Sequence, residues 1–136
     1  MVAKDKVSIK MQEVVDYSRL MGMFMPNLRD VVERKFTADA AKECGLKATN
    51  QELQQGADTF RHVNGLSSAK ATEEWMSRNG ISLELFEDFL ETSILVSKLK
   101  DQLVKKADRA KYLDHPQVRK LVRDLIYQDW VNASLK

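Results

Sequence analysis

The sequence predicts an all-α protein on three observations. Apolar residues recur at steps of three and four along most of the chain, only five glycines and two prolines occur in 136 residues, and helix starts and stops are written as caps. The expected architecture is a single-domain bundle of about six helices, with a long central helix over 83–106 and a carboxyl-terminal helix over 115–133 that docks on the rest. A chain of this length buries one core without covalent staples.

Composition narrows the functional classes. One cysteine makes no internal disulfide, which fits a reducing compartment. The opening residues MVAKDKVSIKMQEVV hold no apolar run of signal-peptide length, and no stretch approaches the ~20 apolar residues of a membrane span. A soluble, cytoplasmic protein without membrane insertion is therefore expected. The 22 basic and 20 acidic residues leave a net charge of +2, which exerts no general pull on nucleic acid.

Val7, Ile9 and Met11 alternate with polar residues as a short extended start would. A first helix is predicted over 12–25, carried by Val14, Tyr17, Leu20, Met21 and Phe24, with Gly22 weakening its last turn and Pro26 ending it. Asn27 then caps a second helix whose inward positions are Leu28, Val31, Val32, Phe36, Ala40 and Cys44, and Gly45 closes it. Leu46 lies in the connection. Thr49 with Glu52 has capping-box spacing, which starts a third helix over 50–64 with Leu53, Ala57 and Phe60 inward and Gly65 as its stop.

A fourth helix over 69–78 turns Ala71, Trp75 and Met76 toward the core. Gly80 and Ser82 then mark the end of that helix and the start of the longest one. This fifth helix carries one apolar row of Leu83, Phe86, Leu90 and Ile94 and a second of Leu85, Phe89, Val96, Leu99 and Leu103. A face that broad needs more than one neighbour, which places the helix centrally. Glu84, Glu87, Asp88 and Glu91 near its start and Lys98, Lys100, Lys105 and Lys106 near its end complement the helix dipole. Residues 107–115 read as a polar joint. Asp114, three before Gln117, and Pro116 in the first turn then open the last helix, with Val118, Leu121, Val122, Leu125, Ile126 and Trp130 on one face.

The run from Leu28 to Leu103 carries a resemblance in its helix joints: Gly45-Leu46-Lys47-Ala48-Thr49, Glu52-Leu53, Phe60-Arg61, Gly80-Ile81-Ser82, Phe86, and the helix through Ile94 and Leu99. This pattern resembles the amino-terminal helical domain of parvulin-type folding factors, the SurA and PrsA group, over residues 28–106. The resemblance implies a domain that binds unfolded polypeptide. Two departures qualify it. Such proteins usually continue into a prolyl isomerase domain, for which this chain has no room, and they are usually exported. A stand-alone peptide-binding domain without isomerase chemistry is therefore implied, with a precursor peptide or its maturation or export machinery as partner.

The sequence contains no Gly-rich phosphate loop, no His-Glu-x-x-His, no paired cysteines and no nucleophile elbow, so no cofactor or metal is expected. Cys44 falls on the core row of its helix and reads as a buried structural thiol. His62 with Glu73 or Glu74 is the best acid–base set available, although a histidine in such a place is more often a surface group, as His115 beside a helix cap would be. The acids Glu84, Glu87, Asp88 and Glu91 have no histidine at ligand spacing and read as a solvated face. The basic residues Lys105, Lys106, Arg109, Lys111, Arg119, Lys120 and Arg123 are interrupted by Asp108, Asp114 and Asp124, which favours a solvated surface over a nucleic-acid track.

Met21, Met23, Phe24 and Met25 have two readings. Clustered thioethers beside an aromatic ring suit a surface that accepts many apolar partners, here a peptide groove shared with Trp75 and Met76; equally, they fill the core at the end of the first helix. The expected function is a chaperone-like or accessory peptide-binding protein. A small helical enzyme acting on a bound peptide and a nucleic-acid-binding protein are the alternatives. A homodimer is open to the chain through exchange of the last helix at its polar joint.

Overall fold

A computed structural model describes residues 7–135. Among the described residues there are seven helices and no strand: α1 (Met11–Leu20), α2 (Phe24–Glu43), α3 (Asn50–Val63), α4 (Ala69–Arg78), α5 (Leu83–Lys106), α6 (Arg109–Leu113) and α7 (Pro116–Ser134). The chain is all-α, as its periodicity predicts. Its contacts divide it into two compact units, Met1–Leu99 and Lys100–Lys136, with the boundary inside α5. No helix among the described residues is long and apolar enough to cross a membrane.

In the first unit α5 is central because both buried clusters draw on it. Leu95, 1% exposed, packs with Ala38 and Ala41 of α2, and Leu46 and Leu99 close around them. Phe86 and Leu90 pack with Ala57 of α3, flanked by Leu53, Phe60, Met76 and Ile81. Small residues, Ala38 and Ala41 on α2 and Ala57 on α3, form the sides of these clusters opposite α5. Gly56 faces the same helix, since a Cβ added there would lie 3.6 Å from Leu90 Cδ2 and 3.9 Å from Ile94 Cδ1.

The caps explain why the elements stop and start where they do. The Glu52 amide donates to Thr49 Oγ1 at 3.1 Å while the Thr49 amide donates to Glu52 Oε1 at 3.0 Å, a reciprocal capping box. Ser68 accepts from the Ala71 amide to open α4, and Ser82 accepts from the Leu85 amide to open α5. Gly45 ends α2 at φ +80°, where a side chain is disfavoured.

The joint of α1 and α2 differs from expectation. α1 stops at Leu20, Gly22 turns the chain at φ +72°, and α2 begins at Phe24 with Met23 as its N-cap residue. Pro26 thus sits in the first turn of α2 instead of ending α1, a place where its missing N–H has no helical partner to lose. Asn27 lies inside the helix and is not its cap. Residues 7–10 are without regular structure, and helix begins at Met11.

The face of α2 is also rotated from the predicted one. Ala38 and Ala41 are buried, whereas Val31, Val32 and Phe36 are exposed, Phe36 by 76%. The predicted row chose the bulkiest residues, but close packing on α5 selects alanines. Cys44, expected in the core, is exposed because it stands at the C-cap, past the last residue of α2.

In the second unit, the predicted polar joint folds into the short helix α6. Asp108 Oδ1 accepts from the Ala110 amide at 3.1 Å, and Arg109 to Leu113 are mostly good helix formers. Asp114 does not cap α7. It closes α6 and pairs with Arg119 at 3.3 Å, while His115 Nδ1 accepts the Gln117 amide at 3.2 Å and Pro116 occupies the first turn. α7 contains no buried residue, and Leu121, Val122, Leu125, Ile126 and Trp130 are exposed along it.

Candidate functional site

A run of uncovered apolar side chains in the first unit passes from α1, where Met11, Val14, Tyr17 and Leu20 are exposed, through the α1–α2 joint. Met21, Met23 and Met25 are 56%, 57% and 66% exposed, and the surface continues along α2 through Leu28, Val32 and Phe36. Spacings of three and four put Met25, Leu28, Val32 and Phe36 on one side of α2, turned away from the Ala38 and Ala41 side that packs on α5. Phe24 is half-buried because the Arg19 guanidinium stacks over its ring, 4.6 Å from the centroid. Arg19 in turn lies 3.6 Å from Asp16.

Trp75 and Met76 belong to a different part of the unit. The Trp75 ring meets Phe60 edge-on at 5.3 Å, and Met76 packs on the cluster of Ala57, Phe86 and Leu90. Both are half-buried supports of the α3–α5 core.

A second feature centres on Phe89, 47% exposed on α5. Its ring is held between neighbours on two helices: the Arg34 guanidinium of α2 lies 4.9 Å from its centroid, and Phe60 of α3 stands edge-on at 6.3 Å. Arg34 is fixed by a hydrogen bond from Nη2 to Ser93 Oγ at 3.0 Å, and Ser93 in turn donates to the Phe89 carbonyl at 2.9 Å.

Phe89 lines a depression on each side. The α2–α5 groove, about 600 Å³, has an apolar floor of Val31, Ala38 and Leu85 and a rim of both charges, with Lys42 paired to Glu91 at 3.5 Å. The α3–α5 cleft, about 390 Å³, is lined by Phe60, Val63, Leu90 and Ile94 with hydroxyl and amide groups and no ionisable residue. Such a cleft accepts an apolar side chain and gives a charged one no counter-ion. Sequence reading missed Phe89 and Arg34 as a surface pair, because Phe89 lies on an apolar row that reads as core. The available signal was an arginine on α2 with no acid at i+3 or i+4.

Acid–base chemistry finds no assembled set. His62, Glu73 and Glu74 are exposed on α3 and α4, and no ion pair or side-chain hydrogen bond joins the histidine to either acid. Glu84, Glu87 and Asp88 are exposed and Glu91 is half-buried on α5; among the described residues no group of histidine, cysteine and acid side chains has the geometry to hold a metal ion.

Among the described residues of the first unit, the only strongly displaced carboxyl is that of Glu52. A hydrogen bond from Lys98 first, and then the amide and hydroxyl of Thr49, hold it down at about 2. Its partners are structural, joining the start of α3 to α5. In comparison with known proteins, no protein-family model, no curated protein and no solved structure matches the chain significantly.

Proposed function

We propose that this protein captures extended or unfolded polypeptide on the apolar surface of its first unit, in the manner of a chaperone or of an accessory factor for a precursor peptide. The observation that carries the reading is the exposure of Met21, Met23 and Met25 in continuity with Leu28, Val32 and Phe36. A row of exposed apolar side chains on a folded unit supports contact with another molecule, and methionine suits it to partners of varied shape. The Phe89 cleft, apolar and uncharged, adds a pocket for a single apolar side chain. The likeness of the helix joints to the peptide-binding domains of folding factors supports the same reading, and a peptide-maturation or export apparatus is the setting it suggests.

The test is a titration of a labelled, permanently unfolded polypeptide, followed by anisotropy and read beside thermal melts. Replacing Met23, Phe24 and Met25 together by serine is expected to weaken capture while the melt remains cooperative. Unchanged binding together with a collapsed melting temperature would assign these residues to packing and remove the surface from the proposal.

A further inference from the structure

We infer that the second unit holds a binding site for a hydrocarbon chain ending in a carboxylate, of the medium-chain fatty-acid class. Within that unit the end of α5, α6 and the start of α7 border an open depression of about 730 Å³, along which Leu103, Val104, Tyr112 and Leu113 are each more than half exposed and Val118 is half-buried. Two side chains at the depression are cationic, Lys106 and Arg109, and none is acidic. Neither cation is engaged in an ion pair among the described residues, whereas Arg119 nearby is paired with Asp114. An apolar lining bordered by two uncommitted cations is complementary to an apolar anion.

The lining also discriminates between apolar anions. Beyond Lys106 and Arg109, the Tyr112 hydroxyl is the one polar side-chain group in the lining. A peptide lying on these side chains would turn part of its backbone N–H and C=O groups toward a lining that offers them no partner but the Tyr112 hydroxyl and the two cations. An alkyl chain makes no such demand, and its single carboxylate meets the two cations. The site is separate from the methionine surface in residues and in ligand chemistry, and it does not rest on the peptide-capture reading.

The experiment is equilibrium dialysis of the full chain against labelled dodecanoate kept below its micelle concentration. Saturable binding of one molecule per chain is expected, and dodecanol should bind about fivefold more weakly, as two partly exposed charge contacts provide. The Lys106→Gln/Arg109→Gln variant should lose the same factor with an unchanged circular dichroism spectrum. Leu103→Asp should abolish binding by placing an acid in the lining, and the Met23, Phe24 and Met25 serine variant should bind as the native chain does. Equal binding of dodecanol, indifference to the double substitution, or loss of binding in the serine variant would each overturn the assignment. Tighter binding of a peptide with an apolar carboxyl terminus at the same site would overturn it in favour of a peptide ligand.

Discussion

Lys98 on α5 reaches Glu52 at the start of α3, with its Nζ 2.6 Å from Glu52 Oε1 and 2.6 Å from the carbonyl oxygen of Lys47. One ammonium therefore ties the α2–α3 connection, the α3 cap and the central helix together. Because the folded state holds the Glu52 carboxyl at about 2 against an ordinary 4.5, its charged form is favoured by folding. The stability it contributes is present above about 4.5 and is lost as pH falls from there toward about 2. Urea midpoints measured across that window should decline, and Glu52→Gln should flatten the part of the decline that this carboxyl causes.

Gly56 gives a prediction of opposite sign from Gly45. Gly56 lies inside α3, and an added Cβ meets Leu90 and Ile94 at ordinary contact distances. Gly56→Ala should stabilise the protein by about 0.5 to 1 kcal/mol, because alanine loses less conformational freedom in a helix. Gly45→Ala should destabilise it by about 1 kcal/mol, since φ +80° burdens any side chain. Paired chemical denaturation curves distinguish the two.

Phe86 and Phe89 are three residues apart yet differ in their surroundings. Phe86 is 7% exposed and Phe89 is 47% exposed, so truncation to alanine should cost about 3 to 5 kcal/mol at Phe86 and clearly less at Phe89. Leu95, at 1% exposure, should cost about 2 to 5 kcal/mol. Equal losses at the two phenylalanines would mean that the Phe89 ring is core and that its flanking grooves are closed in solution.

The helices were legible because local signals specify them: Thr49 with Glu52, Ser82, and Gly45, Gly65 and Gly80 at positive φ all act where the sequence places them. The choice of face on α2 was not legible, since periodicity identifies an apolar side but not which neighbour comes close. Alanines at 38 and 41 pack on α5, Val32 and Phe36 turn outward, and Val31, seven residues before Ala38, lines the open groove beside it. Cys44 was misplaced because it stands past the last residue of α2, and its exposure predicts prompt, stoichiometric labelling by a thiol reagent in the native protein. α6 escaped notice because five residues are too few for a periodic pattern. The methionine cluster was recognisable from composition, but its separation from Trp75 depends on tertiary packing.

Salt provides the sharpest division between peptide capture and nucleic-acid binding. On the proposed reading, a peptide would meet the apolar groups of the methionine surface and the Phe89 cleft, and such attraction is not screened by ions. The affinity for an unfolded polypeptide should therefore give a nearly flat plot of log affinity against log salt. A single-stranded nucleic acid held by Lys105, Lys106, Arg109 and Lys111 would instead lose affinity with a slope of about −0.7 for each phosphate neutralised. Both titrations belong on the full chain over one salt series. A steep slope for the polypeptide would place its binding on the charged residues of the chain and take the apolar surface of α2 out of the contact.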